Sequence, residues 1–329
     1  MIPWFQLDKY ESYKFDYQRY SELNIVPSYI SNSSDSVYKS DVAELLTYTN
    51  IGKYNDVYLV VPSIFNSPEI VFLSEEDNFI RNLSIKGKVY LVNWIESDKQ
   101  IIIDDLIQEL ETVTQVINKL EPNRKLHLIG HCIGGNLCIA LAQNSHFHSS
   151  LTLLTVPWDF SHFSSIKSVL SNTGVSNLID EIDYIPKIYI QILFFLMFPS
   201  QYISKVEKYD TLSLDSKKLF MKVESWLQSG MTLPKSLYIQ IIDEICTKNV
   251  CFKKQWSVKN KPVYLSNIKI PTCIIYARDD QIVPYKSIVP LQNEIRESTL
   301  IEVEGGHISY LLNPKNFTER YNNWLVSLI

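Results

Sequence analysis

Arginine is sparse in this sequence, no run of five basic residues occurs, and the net charge is −5. Phosphate backbones are bound by clustered Lys and Arg, so nucleic acid is not an expected partner. The five cysteines, Cys132, Cys138, Cys246, Cys251 and Cys273, are odd in number and show neither a Cys-x-x-Cys pair nor a Cys/His metal spacing. A zinc site and a disulfide framework are therefore not expected. The opening Met1-Ile-Pro-Trp-Phe has neither the basic region nor the long apolar stretch of a signal peptide. A reducing cytoplasm is the expected compartment, and it suits a working thiolate. The most apolar stretch, 188–198 (IYIQILFFLMF), ends at Pro199 and is too short to span a bilayer, which takes about 20 residues. A buried helix is the plainer reading of it, and adsorption to something apolar the weaker one. Internal repeats and low-complexity segments are also missing.

What is present is an ordinary globular balance, 46% apolar and 20% charged over 329 residues, enough for one α/β domain with an insertion. Short β-branched runs recur at 57–62 (VYLVVP), 88–93, 125–129, 150–156, 272–277 and 299–303, as buried strands do. Between them Leu106, Leu110, Val113, Ile117 and Leu120 fall at spacings of 4, 3, 4 and 3, one face of a helix. Strands alternating with helices predict a mostly parallel central sheet with helices on both faces. The alternation breaks once, so the expected division is an N-terminal arm over 1–56, a core over 57–158 and 268–329, and a helical cap over 159–267. Within the arm, a short helix is expected over 42–47.

The strongest local signal is Gly130-His131-Cys132-Ile133-Gly134-Gly135, a strand running into Gly-x-Cys-x-Gly-Gly and then a small-residue helix. This is the nucleophile-elbow pattern of the α/β-hydrolase fold with sulfur in place of the hydroxyl. A nucleophile on a strained turn needs nearly side-chain-free flanks, and the helix N-terminus behind it favours negative charge on the sulfur. A free cysteine is most often a small buried hydrophobe; Cys138 and Cys273 fit that description, whereas packing alone does not require the glycine frame of Cys132.

In this fold the order is nucleophile, acid, histidine. Of six histidines only His307 follows the fifth strand, in the glycine turn Glu304-Gly-Gly-His-Ile308. His127 lies in the strand before the elbow, His131 in the elbow, and His146, His148 and His162 are read as lying in connecting segments. The acid should follow the fifth strand, where Asp279 and Asp280 stand. Asp280 is preferred, with Asp279 in reserve and Asp159 a weaker alternative; its role is to orient the histidine and stabilise its imidazolium. Backbone N–H groups should hold the oxyanion: Ile133, next to the nucleophile, and Ile64 or Phe65 in the loop after the first predicted strand.

With these residues in place, the chain resembles the polyhydroxyalkanoate synthases, acyltransferases that polymerise 3-hydroxyacyl groups from coenzyme A thioesters. The Gly-x-Cys-x-Gly-Gly box matches 130–135, the acid segment matches 279–284, and the Gly-His-Ile with a following Asn-Pro matches 306–308 and Asn313-Pro314. Val60-Val-Pro62 with Asn66, Val89 to Trp94, Leu151 to Phe160, and Glu224-Ser-Trp226 with the stretch to Asn249 are similar to further segments of that family. Two positions depart from it: Gln281 stands where the family has histidine, and His131 where tyrosine is common. The long N-terminal domain of the larger synthases is absent, and the length is closer to the short type that works with a partner subunit.

The resemblance implies poly(3-hydroxybutyrate)-type biosynthesis through a Cys132–His307–Asp280 triad and an acyl-cysteine. It further implies no cofactor or metal beyond the coenzyme A thioester as substrate. The implied partners are 3-hydroxyacyl-CoA and the growing polyester, with a homodimer or partner subunit as the assembly and the surface of polyester granules as a location. The rival readings are a thioesterase or depolymerase using the same triad, and a non-catalytic granule-associated scaffold.

Overall fold

The structure, a computed structural model, describes residues 34–48, 54–73, 78–143, 146–163, 181–197, 209, 211–312 and 315–328. Eight strands form one sheet: β1 (Ser34–Lys39), β2 (Ala43–Tyr48), β3 (Asp56–Val61), β4 (Gly87–Trp94), β5 (Lys125–His131), β6 (His148–Leu154), β7 (Thr272–Ala277) and β8 (Ser298–Val303). Their spatial order is β1-β2-β4-β3-β5-β6-β7-β8. The β1/β2 and β2/β4 ladders are antiparallel and every other pairing is parallel.

Parallel neighbours require crossovers, and these are helical. The principal helices are α1 (Phe79–Ser84), α2 (Ile103–Leu120), α3 (Ile133–Ala142), α4 (Lys187–Met197), α5 (Leu214–Gln228), α6 (Tyr285–Glu294) and α7 (Lys315–Val326). The apolar stripe predicted along 106–120 holds as far as Ile117: Leu106, Leu110, Val113 and Ile117 of α2 are buried with Ile133 and Leu137 of α3 and Ile288 and Leu291 of α6 in one core, whereas Leu120, at the end of the helix, is exposed. On the opposite face, Phe79 and Leu83 of α1 are buried with Phe317, Tyr321 and Trp324 of α7. Both faces of the sheet are covered at its centre, so the inner strands β3 to β7 read as nearly continuous buried runs.

Three expectations need correcting. The helix expected over 42–47 is strand β2. Val42, Leu45 and Leu46 mimic a helical spacing, but Leu45 packs into one core and Leu46 into the other, because β2 is paired with a strand on each side and covered on both faces. Residues 34–48 of the expected arm are therefore part of the sheet; the rest of that arm up to 33 lies outside the described residues. His148 opens β6 rather than lying in a connection.

Between β6 and β7 the described residues are mainly helical. They hold α4, α5 and a helix over Lys235–Tyr238 that continues as a π-helix over Ile239–Thr247. The apolar stretch at 188–198 falls on α4, whose Ile190, Leu193, Phe195, Leu196 and Met197 are buried; its last residue lies outside the described residues.

Candidate active site

Cys132 is the hinge between β5 and α3. Its backbone takes φ 51° and ψ −128°, a left-handed conformation that a residue with a side chain adopts only under constraint. The constraint is visible: its N–H donates to Leu154 O (3.0 Å), and its carbonyl accepts from the Gly135 N–H (2.8 Å). The neighbouring glycines are needed for contact rather than flexibility. A Cβ at Gly130 would lie 2.5 Å from Gly135 Cα, and one at Gly134 would lie 2.4 Å from both Val61 O and Pro62 O. Strand, helix and the loop after β3 therefore converge on the sulfur. Cys132 is half-buried while the other four cysteines are fully buried. Burial pushes those four thiols up, which leaves them inert as nucleophiles.

His307 sits in the turn after β8, where Gly305 takes φ 86° and the Gly306 N–H donates to Ser309 Oγ (2.9 Å). Its Nδ1 lies 2.8 Å from Asp280 Oδ2, and the Cys132 side chain is among the groups that raise its imidazole. With Nδ1 committed to Asp280, Nε2 is the nitrogen left for the sulfur. The other Asp280 oxygen accepts the N–H groups of Ile282 (2.9 Å) and Val283 (2.8 Å), which fixes the carboxylate. Burial pulls the His307 imidazole down, but Asp280 and Cys132 outweigh it and push it up to about 10.

Asp279 is exposed, and its N–H donates to Gly305 O (3.0 Å); it does not face His307 as the acid. Asp159 is committed elsewhere. One of its oxygens accepts from Ser161 N (2.9 Å) and Asn249 Nδ2 (2.8 Å), and the other lies 3.5 Å from His162 Nε2.

Ile133 is the first residue of α3, so its N–H is among the helix donors with no intrahelical acceptor. Ile64 is buried in the loop after β3, and the neighbouring Phe65 N–H turns to Ser63 Oγ (3.4 Å). Trp94 Nε1 holds the start of that loop by donating to Pro62 O (3.1 Å).

One neighbour of the site was not singled out in the sequence. Tyr310, three residues after His307, is fully buried; its hydroxyl pairs with Thr155 Oγ1 (3.1 Å), and burial raises its phenol further than the charges of Asp280 and Cys132 do. Burial, and then the neighbouring His307, drive the His131 imidazole down to about 3; its ring centroid is 5.4 Å from that of His307. It is a neutral wall beside the charged one.

A second Ser–His–Asp set exists. His127 Nδ1 lies 2.8 Å from Ser150 Oγ, and Nε2 lies 3.1 Å from Asp56 Oδ1. Ser150 is completely buried, and these residues stand where β3, β5 and β6 begin rather than at the carboxyl edge, where α/β sheets bind ligands. It is a polar clamp. Among the described residues no group of three or more His, Cys, Asp or Glu could hold a metal ion, and no helix is long and apolar enough to cross a membrane.

The family model for the alpha/beta hydrolase fold matches residues 96–314. The chain belongs to the alpha/beta hydrolase fold family. Solved structures of this fold superpose over most of its length: a membrane phospholipase A from bacteria (TM-score 0.56, 13% identity, 95% of this chain and 92% of the other) and MenH from S. aureus (TM-score 0.52, 13% identity, 86% and 98%). Within the family, the chain is similar to poly(3-hydroxyalkanoate) polymerase subunits named PhaC. The Haloarcula marismortui subunit is 23% identical over 299 residues, covering 84% of this chain and 63% of that protein. The Synechocystis subunit is 24% identical over 277 residues (78% and 73%), and that of Cupriavidus necator is 24% identical over 315 residues (87% and 53%). The chain thus spans about half to three-quarters of the length of these relatives.

Proposed function

We propose that this hydrolase-fold chain is an acyltransferase that polymerises 3-hydroxyacyl groups from coenzyme A thioesters, with Cys132 as nucleophile, His307 as base and Asp280 as its orienting acid. The observation that carries the reading is a cysteine, rather than a serine, on the strained turn with His307 against it. A thiolate that attacks a thioester makes another thioester, so the acyl-enzyme keeps the group's reactivity for attack by a hydroxyl. The similarity to polymerase subunits supports the same reading.

His307 takes the proton of Cys132, and the thiolate attacks the thioester carbonyl. The anionic intermediate is held by the N–H groups of Ile133 and Ile64, the engaged Phe65 being the poorer donor of its pair. As the carbon–sulfur bond to coenzyme A breaks, the His307 imidazolium returns a proton to the leaving thiolate. A 3-hydroxyl deprotonated by His307 then attacks an acyl thioester, forming the ester link and freeing a thiol. The stretch over 159–267 acts in this reading as a cap that excludes water, which would release the chain as a free acid. No cofactor is required.

The test is the fate of the acyl group when the purified protein meets 3-hydroxybutyryl-CoA, beside Cys132→Ala. Coenzyme A release with polymer from the wild type, and neither from the variant, is the expected result. Free 3-hydroxybutyrate instead of polymer makes the chain a hydrolase, and no coenzyme A release makes it a scaffold.

A further inference from the structure

The loop over 62–67, which carries the Ile64 N–H, is gripped from two directions. On the core side, Trp94 Nε1 holds Pro62 O, and Gly134 lets α3 lie against Val61 O and Pro62 O. On the other side, the loop meets the end of α5, more than 150 residues away in sequence. Asn66 Nδ2 donates to Trp226 O (3.3 Å) and Leu227 O (3.1 Å). Trp226 Nε1 donates to Ser67 O (2.8 Å), and the Ser229 hydroxyl meets Ser67 Oγ (2.9 Å). The fit is close: a Cβ at Gly230 would lie 2.8 Å from Phe65 O.

The last carbonyls of a helix have no partner within it; Asn66 donates to two of those of α5, sharing Trp226 O with the Ser229 N–H (3.0 Å) and hydroxyl (2.6 Å) and Leu227 O with Gln191 Nε2 (3.4 Å). These bonds are directional, so they set the position of the loop as packing alone would not. They also run both ways across the contact, from loop to helix through Asn66 and from helix to loop through Trp226. Asn66 stands two residues from Ile64 on the same short loop.

We infer that Asn66 and Trp226 are positioning residues that hold the Ile64 N–H in line with the Ile133 N–H, so that the oxyanion site is complete only while α5 is docked on the loop. The inference deepens the reading above and rests on its oxyanion assignment. Chemistry is thereby tied to the placement of the segment between β6 and β7, without either residue touching substrate.

Two probes of the same sulfur separate this role from general support of the fold. Acylation of Cys132 by 4-nitrophenyl butyrate passes through a tetrahedral oxyanion. Alkylation by iodoacetamide does not: the thiolate displaces iodide from a saturated carbon. Asn66→Ala and Trp226→Phe should each lower the acylation rate at saturating ester about 10–100-fold. The KM for the ester and the iodoacetamide rate should stay near the wild-type values. Equal losses with both probes, or acylation at the wild-type rate in both variants, overturn the inference. So does a wild type that is alkylated at Cys132 but not acylated by the ester. The polymerase reading is judged separately, by the product formed from 3-hydroxybutyryl-CoA, because a hydrolase would need the same oxyanion donors.

Discussion

Asp280 is the residue on which the charge state of the site turns. Its carboxylate is spent on three bonds, to His307 and to two backbone N–H groups. Asp280→Asn keeps the shape and removes the charge, so the His307 imidazole should fall well below its present value of about 10. An NMR titration of the His307 ring reads the shift directly. Turnover should fall about 10²–10⁴-fold, the usual worth of a positioned acid–base pair, and a variant with wild-type turnover would remove Asp280 from the mechanism. The sign for stability follows from linkage. A His raised from 6.5 to about 10 on folding contributes stability that is full below about 6.5 and is lost as pH rises through about 10. Asp280→Asn should therefore flatten the decline of thermal midpoint on the alkaline side. Cys132, Asp280 and His307 were legible as a set because each sits in a short stretch with a backbone reason for its neighbours. Five of the nine glycines, Gly130, Gly134, Gly135, Gly305 and Gly306, flank two of the three. The choice between Asp279 and Asp280 was legible only as a preference, since adjacent carboxylates in a loop differ by where the turn points them. Tyr310 carried no signal, because a tyrosine three residues beyond a histidine is as ordinary in a core as in a site.

At the scale of elements, close approach is the common theme. Gly134→Ala would drive a Cβ into two backbone carbonyls that cannot swing aside. It should cost about 2–4 kcal/mol, read as a fall in thermal midpoint, and a neutral result would mean that α3 can pivot off β3. Gly230→Ala presses instead on Phe65 O, at the contact of α5 with the loop. Acylation of Cys132 by an activated ester should suffer there while alkylation does not, and identical losses in both would assign Gly230 to fold alone. The six strands from β3 to β8 were readable from sequence because each is a short apolar run, buried almost throughout in β3 to β7 and alternating in the edge strand β8. Strand β2 was not, since Val42, Leu45 and Leu46 carry a helical spacing, and only the ladders to β1 and β4 decide the matter. The ladder to β4, which pairs Ala43 with Trp94 and Tyr48 with Val89, joins residues too far apart for any local window to contain both.

For the molecule as a whole, the segment between β6 and β7 is tied down near both of its ends. At its start, Asn249 donates to Asp159 and accepts from Phe160 N (2.9 Å), while Trp158 N donates to Ser287 Oγ (3.0 Å) of α6. Burial raises the Asp159 carboxyl, but the bonds from Ser161 and Asn249 outweigh it and hold the group below 3.8. The stability Asp159 lends is thus present above about 3.8 and lost as pH falls below that. Asn249→Ala should cost about 1–3 kcal/mol near neutral pH and weaken that acid-side dependence. A thermal midpoint unchanged at both pH values would show that the clamp is idle. None of this network was readable in advance, because a buried Asp–Asn pair spans 90 residues and either partner alone looks like a turn residue.

The order of the strands has a consequence in time. Cys132 lies at the end of β5, whereas Asp280 and His307 follow β7 and β8, which add to the sheet beside β6. A chain emerging from the ribosome can pair β1 to β6 and form the elbow long before the acid and the base have been made, since folding proceeds as the N-terminal part becomes available. Throughout that interval the nascent polypeptide displays a cysteine with no imidazole to deprotonate it. If the proposed triad acts, the catalyst would come into being only as β7 and β8 join the sheet, and until then topology alone would keep the sulfur apart from its base.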